Sequence, residues 1–574
     1  MRERFSYNLI LLGGTGARCG EIFVHMCANG YLDVKSVNIL YIDSDTKNGN
    51  ADYFKRIIKL YDKCRESYVI KESPIPCFFK PKINLMCANP VQGAKTFRDI
   101  ASNPGINVRG INSASVLMDA LYSEEEREMK ISEGFFAHPN VGAALFAANM
   151  DSILEKFVKI VSIAQKDMKK IKIFLAGSIF GGTGASSLPT ISRYLKKKLF
   201  GDSDNKHICE QMQVGGCMVL PYFGFSRDDL TAKMYSEEEE DIEIESDKFA
   251  TKTKAAIEYY KYVDGEDNNG FRVFDKLYII GHDGKDVRGS YETAGNRQRN
   301  LPHIVEFYSA MSCVTFFESD IREKGHYFAT VSEKQISWLD LYQPAKCFFC
   351  FYIMMRFAIV MKSLIIEELF DYRQRNKLKE HASEIPWYFD FIDGKEKSSD
   401  FDEDKLYNKF ENISKYCSEY IRWFAELNIC NIEKASTPDK IDIDTEENDD
   451  NDSDVVKYIQ FFSKKLILKQ FMNNLITDGL LDDKYTDEIN ENIYTENLDY
   501  IRRHMKELED TSFFTDLDIE KISMSDIWLR LSNLGFNYYE KDDNILKNIQ
   551  RANDKSMDES IKNLVNAVYI ACMI

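Results

Sequence analysis

Two short glycine-rich stretches hold the residues best suited to chemistry. The first, LAGSIFGGTGASSLPTISRYLKK (175–197), sets Gly181, Gly182, Thr183 and Gly184 between a hydrophobic run and an amphipathic helical pattern. A shorter version, LILLGGTGARCGEIF (9–23), carries Gly13, Gly14, Thr15 and Gly16. A glycine turn between a parallel strand and a helix leaves backbone N–H groups pointing outward, and the helix N-terminus adds positive potential. The expected guest is a phosphate group. Glycine is needed because a side chain would block close approach and because some positions take positive φ. Neither stretch has a P-loop lysine, so the donors the sequence offers there are backbone amides. Arg18, just inside the first helix, offers either a charge-assisted phosphate contact or a plain surface charge.

Other chemistries fit less well. A dinucleotide site would use the first loop and an acid, Asp43 or Asp45, on a ribose hydroxyl. The glycines fall at 13, 14, 16 and 20, so G-x-G-x-x-G is not met, and the stretch at 177–187 is left unexplained. One CxxC, Cys347 to Cys350, lies alone in an apolar run and reads as packing. The acidic stretch PDKIDIDTEENDDNDSDVV (438–456) lacks the glycine and closing glutamate of a calcium loop, and reads as a disordered linker. The run SEEEEDIEIESDK (236–248) reads as a solvated helix face.

Composition sets further bounds. The 574 residues suffice for two to four domains, and 74 basic against 92 acidic residues give a net charge of −18. Such a balance argues against a general affinity for nucleic acid or anionic membrane. Thirteen scattered cysteines suit reduced cytosolic thiols, and the N-terminal apolar run is too short for a signal peptide. Arg356 and Lys362 interrupt the one candidate membrane span, so a buried helix is expected there.

The elements that must position the glycines follow from the pattern. Strands are expected at 7–12, 36–43, 170–177, 215–223 and 274–281, with amphipathic helices between them. Continuous apolar runs without alternation indicate parallel strands covered on both faces, hence an α/β layer fold. NLPHIVEFYSAMSCVTFFESD reads as a strong helix with proline near its start, HYFATVSEKQISWLDL has strand character, and helices dominate after Ala345. The tail SIKNLVNAVYIACMI ends in an apolar run expected to be buried as a helix or to bind a partner.

Five segments in this order resemble the tubulin/FtsZ superfamily, over about residues 7–225. GGTGARCGEIF resembles the first phosphate loop through Gly13, Gly16 and Gly20, and LYIDSDT resembles the end of the second strand, with Asp45 in the place of the family aspartate. EGFFAHPNVGAALFA is similar to the segment ending Asn-Pro-x-x-Gly through Pro139 and Gly142, with His138 replacing the asparagine. AGSIFGGTGASS resembles the signature G-G-G-T-G-S/T-G, with Phe180 and Ser186 replacing its first and last glycines. VGGCMVLPYFGF resembles the next strand and its Pro-aromatic turn, through Pro221 and Tyr222.

The resemblance implies a Rossmann-like parallel-sheet GTPase domain with a long central helix, then a smaller α+β domain and a helical C-terminal region. It implies GTP or GDP on Gly13, Gly14, Thr15 and Gly16 together with Gly181, Gly182, Thr183 and Gly184. The loop from Ala137 through Asn140 to Gly142 would face the γ-phosphate, and Asp45 would stand near Mg2+ through water. Pro221 would line the pocket, and Asn296 and Asn300 are the candidates for the purine, a polar helix start being their alternative. The family supplies its catalytic acid from the neighbouring subunit after the central helix; here ESDIREKG offers Asp320 and Glu323 but not the family spacing. The expected organisation is a nucleotide-binding domain (1–300), central helix and loop (301–324), second domain (325–437), acidic linker (438–456) and helical region (457–574). The implied function is a cytoplasmic GTPase assembling head to tail, with an unidentified protein partner for the C-terminal helices. A non-polymerising, nucleotide-regulated scaffold or sensor is the alternative, and an NAD(P)-dependent oxidoreductase a more distant one.

Overall fold

The computed structural model describes residues 5–45, 48–69, 78–91, 96–101, 113–131, 135, 138–200, 211–222, 249–263, 273–282, 301–320, 325–331, 342, 344–359, 361–362, 408–428, 561–562, 565 and 569. Among these, seven strands form one sheet: β1 (Phe5–Leu12), β2 (Ser36–Ile42), β3 (Lys82–Ala88), β4 (Lys170–Ser178), β5 (Met212–Val219), β6 (Lys276–His282) and β7 (Gly325–Val331). The order is β3-β2-β1-β4-β5-β6-β7, and every neighbouring pair is parallel. The described helices are α1 (Gly13–Ala28), α2 (Gly49–Tyr68), α3 (Phe97–Ala101), α4 (Ser113–Leu121), α5 (Glu124–Glu128), α6 (Pro139–Lys166), α7 (Gly182–Phe200), α8 (Phe249–Val263), α9 (Ile304–Glu318), α10 (Pro344–Ile359) and α11 (Glu411–Asn428).

The central strands explain the architecture. β5 is buried throughout and β4 at all but its first residue, as apolar strands must be when helices cover both faces. The Gly215–Gly216 pair within β5 has a packing reason. A Cβ at Gly215 would come within 2.6 Å of the Phe316 ring of α9, and one at Gly216 within 2.6 Å of the Phe274 ring. Glycine lets both aromatics lie against the strand backbone. α9 is apolar nearly all round and buried along most of its length, the pattern of an internal helix.

The five strands read from the sequence are β1, β2, β4, β5 and β6. β3 was not among them: KINLMCA is an edge strand, mostly half-buried, and too mixed to stand out as an apolar run. The strand character after 325 is β7, which joins this same sheet beside β6, where the sequence reading opens a second domain.

Two polar devices cross the sheet. Asn84 donates to Asn38 Oδ1 (3.0 Å), Asn38 donates to Asn8 Oδ1 (2.9 Å), and Asn8 donates to the Lys172 carbonyl (3.1 Å). These asparagines are register partners on β3, β2 and β1. Lys172 itself, fully buried on β4, donates its ammonium to the carbonyls of Phe316 (2.8 Å) and Ser319 at the C-terminal end of α9. The charge complements the negative end of the helix.

The chain divides into two compact units, residues 1–23, 34–58 and 82–334 in one and 24–33, 59–81 and 335–574 in the other. The first holds the sheet. In the second, the buried His25 ring lies against Tyr416, Tyr420 and Trp423, and its Nδ1 is 2.9 Å from the Tyr416 hydroxyl. Cys347 and Cys350 are buried on α10, as packing residues would be. Ile561, Val565 and Tyr569 of the apolar tail are also buried. The acidic stretches at 236–248 and 438–456 lie outside the described residues. Among the described residues, no helix is long and apolar enough to cross a membrane.

Candidate functional site

The strand order reverses between β1 and β4: β2 and β3 extend the sheet from one side of that pair, β5 to β7 from the other. The crevice outside the C-terminal ends of strands at such a switch point is where open α/β sheets bind ligands. Both glycine stretches end there. α1 begins at Gly13, directly after β1, and α7 begins at Gly182, four residues after β4.

The glycines bring these two helix N-termini together. Gly13 has φ +69°, and a Cβ added to it would stand 3.3 Å from the Thr183 Cβ. The two loops therefore touch. A Cβ at Gly16 would be 2.9 Å from the Leu11 carbonyl carbon and 3.2 Å from the Ala176 oxygen, so the first turn of α1 lies directly on β1 and β4. Gly184 approaches closer still, its Cβ position 2.3 Å from the Ser178 carbonyl oxygen. Gly181 differs, meeting only the Ser178 hydroxyl at 2.9 Å. Ser186 and Ser187 turn back onto the carbonyls of Gly182 and Thr183 rather than outward.

A carboxylate completes the junction. Thr183 donates its hydroxyl to Asp43 Oδ1 (3.1 Å) and lies 3.4 Å from the Ser44 hydroxyl. The other Asp43 oxygen accepts from Tyr41 (2.8 Å) and Asn48 (3.3 Å). Burial pushes the Asp43 carboxyl up to about 6, the hydrogen bonds from Tyr41 and Thr183 opposing that rise. Asn48 also borders the first loop, 3.0 Å from the Cβ position of Gly14. Asp45, partly exposed, donates its backbone N–H to Asp43 Oδ1 (3.3 Å). Among the described residues, no three His, Cys, Asp or Glu side chains cluster as a metal site.

The third segment takes a different form from the expected loop. Pro139 opens α6, so Asn140 and Gly142 lie in the first turn of a helix. Asn140 donates to Glu126 Oε1 (2.6 Å). The segment still reaches the second glycine stretch: a Cβ at Gly182 would fall 2.5 Å from the Phe135 Cβ, and one at Gly142 2.5 Å from the Ser186 hydroxyl. Ala137 lies outside the described residues.

Arg18 is neither exposed nor turned to a surface. It is buried and ion-paired with the fully buried Glu306 of α9 (2.6 Å), and it donates to the Leu301 carbonyl. Glu306 also accepts the Tyr222 hydroxyl and closes a capping box with His303, accepting the His303 N–H at 2.9 Å. His303 Nδ1 accepts from the Val305 N–H at 3.1 Å, and burial foremost, with Arg18 and His282 nearby, lowers its pKa to about 3. Pro221 precedes Tyr222 and is half-buried. Asn296, Asn300 and Glu323 lie outside the described residues. Asp320 is exposed past the far end of α9, its carbonyl accepting from Gln213 at 3.5 Å. It is not brought to the glycine junction of its own chain.

Over residues 9–234 the chain matches a family model described as tubulin like. This region is tubulin-like. The match takes in both glycine stretches, Asp43, Asp45 and the segment at 135–142, and ends before β6, α9 and β7. No curated protein matches the chain. Within the tubulin-like region, sequence reasoning passed over Phe135 and Asn48 and weighed Asp43 only as a ribose ligand. Glu306 was hidden because its capping partner is a histidine in place of the usual serine or threonine.

Proposed function

We propose that this tubulin-like protein binds GTP and GDP at the junction of its two glycine stretches. The observation that carries the reading is the contact of Gly13 with Thr183, which sets two helix N-termini at one switch point of a parallel sheet. A single such turn occurs in many folds. Two in contact give a triphosphate amide donors from both sides without a lysine. The sheet order alone would also suit a dinucleotide; the glycine spacing and the tubulin-like match favour GTP.

In this reading Gly13, Gly14, Thr15 and Gly16 hold the phosphates with Gly181, Gly182, Thr183 and Gly184, and Asn140 and Gly142 at the start of α6 face the γ-phosphate. Pro221 lines the pocket, and Asn296 and Asn300 read the purine. Asp45 holds Mg2+ through water, which would supply positive charge against the phosphates. Asp43 fixes the Thr183 hydroxyl. Asp320, past the C-terminal end of α9, and Glu323 act on nucleotide held by the next subunit. Fifteen helical residues put the C-terminal end of α9 about 22 Å from its start. The protein then assembles head to tail in the cytoplasm, because a heterologous contact propagates rather than closes, and the C-terminal helical region recruits a separate protein partner.

The test is pelleting and light scattering of the full chain with Mg2+ and GTP, GDP or ATP, phosphate release being followed in the same samples. GTP-dependent sedimentation, with turnover rising steeply with protein concentration, is expected. Tight GTP binding without assembly or turnover would refute the polymer and leave a nucleotide-regulated scaffold. Absence of nucleotide binding would refute the site.

A further inference from the structure

Arg18 sits five residues beyond Gly13 on the same helix, where a positive side chain invites assignment to a phosphate. Its surroundings assign it elsewhere. Its guanidinium pairs with Glu306 Oε1 at 2.6 Å, and both side chains are almost wholly buried. The same carboxylate receives the Tyr222 hydroxyl from the end of β5 and the His303 N–H from the start of α9. The Leu301 carbonyl, just ahead of α9, accepts from the same guanidinium nitrogen that pairs with Glu306. One arginine on the helix of the first glycine loop thus reaches both the approach to α9 and its first turn.

A charge pair is a costly way to join two helices if packing is all that is needed, since apolar residues of similar volume do so at least as well. What a buried pair adds is a fixed geometry that depends on both partners. α1 cannot shift on the sheet independently of the start of α9 without separating charges in a medium that solvates them poorly. The first turn of α1 is meanwhile seated on β1 and β4 through Gly16. The amides of the first loop, and the helix that leads to Asp320, therefore share one anchor.

We propose that Arg18 is a positioning residue, not a phosphate ligand: its pair with Glu306 ties the first glycine loop to the start of α9, linking nucleotide affinity to the placement of α9. The proposal rests on the nucleotide-binding reading above, and the two separate experimentally. If the wild-type chain binds neither GTP nor GDP, that reading falls. If it binds them and the variants below bind equally well, only the positioning role falls.

The experiment is a double-mutant cycle on the full chain, with Arg18→Met, Glu306→Gln and the combination, titrated with GTP, GDP and guanosine. A phosphate ligand and a positioning residue predict opposite outcomes. If Arg18 held phosphate, Glu306→Gln would release it and leave GTP affinity unchanged or raised. Arg18→Met would then weaken GTP more than GDP and leave guanosine unaffected. The positioning role predicts that each single variant weakens GTP and GDP alike, by about tenfold. The double variant is then no weaker than the worse single variant within about threefold, because both remove the same link.

Tyr222→Phe supplies a milder third variant should Arg18→Met fail to fold. It removes one donor to Glu306 and leaves the pair in place, and a loss of the same sign and smaller size is expected. Opposite signs for Arg18→Met and Glu306→Gln, additive losses in the double variant, or lowered thermal stability with nucleotide affinity intact would each overturn the proposal.

Discussion

Gly181 offers a clean electrostatic test of the glycine junction. A charge placed at Gly182 would be ambiguous, because any side chain there meets the Phe135 Cβ at 2.5 Å and the loop must move. At Gly181 an added Cβ meets only the Ser178 hydroxyl, at 2.9 Å, and a hydroxyl can rotate away. Gly181 also directly precedes α7, an N-cap position at which aspartate is among the preferred residues. Gly181→Asp should therefore leave unfolding by urea unchanged or slightly harder. A bound phosphate would feel the new carboxylate at about 5 Å. At an effective dielectric of about 20, one unit of negative charge at that distance costs about 3 kcal/mol, roughly 200-fold in affinity. Gly181→Ala, with the same Cβ and no charge, should bind within about threefold of wild type. The assay is calorimetric titration of GTP and GDP into wild type and both variants, with urea melts in parallel. If Gly181→Asp binds GTP as tightly as Gly181→Ala does, no phosphate lies at this turn and the assignment of the second glycine stretch is refuted.

Two further outcomes follow from buried charge. His303 caps α9 through a neutral ring nitrogen, and its pKa is about 3 against an ordinary 6.5. The unfolded chain therefore takes up the proton first, and stability is lost as pH falls below about 6.5. Between pH 7 and pH 5 this one group should remove about 2 kcal/mol. His303→Asn, which keeps a capping oxygen, should lose about that much less over the same interval in denaturant titrations; an unaltered slope would contradict the cap. Lys172→Met should cost about 1–3 kcal/mol in guanidinium unfolding, since the Phe316 and Ser319 carbonyls lose a charged donor inside the sheet. Unchanged stability would show that the ammonium contributes nothing net there.

What could be read from the sequence was whatever local pattern dictates. The apolar runs of β1, β2, β4, β5 and β6 announce themselves because both faces of each are covered. Gly13 and Gly182 mark the helix starts because the backbone there needs room or positive φ. Contacts made across long separations could not be read. Glu306 looks like an ordinary helix-start acid until the fold lays it beside Arg18, nearly three hundred residues earlier. Asp43 looked like one of two equivalent acids in YIDSD; only the meeting of β2 with the second glycine stretch makes it the one bonded to Thr183. The start of α6 reads as loop on the family resemblance carried by Pro139 and Gly142, whereas proline in the first turn is at home in a helix. β3 was missed because an edge strand carries a weaker apolar signal than a covered one.

The asparagine ladder across β1, β2 and β3 bears on how the sheet is made. Parallel strands of leucine, isoleucine and valine can slide past one another by two residues and still present apolar side chains to the same faces. Such a slip would leave a compact, sheet-like and wrong product. In this sheet a two-residue slip of β2 would separate Asn38 from both Asn8 and Asn84. It would also take from the fully buried Asn8 the bond that Asn38 donates to its Oδ1, a loss of about 0.5–1.5 kcal/mol, while the Asn8 amide nitrogen kept the Ser6 and Lys172 carbonyls. The ladder thus works as a proofreader during folding, rejecting misaligned pairings that hydrophobic burial alone would accept. It also fixes how far the C-terminal ends of β1 and β2 project, and so the height at which Gly13 and Asp43 stand relative to each other.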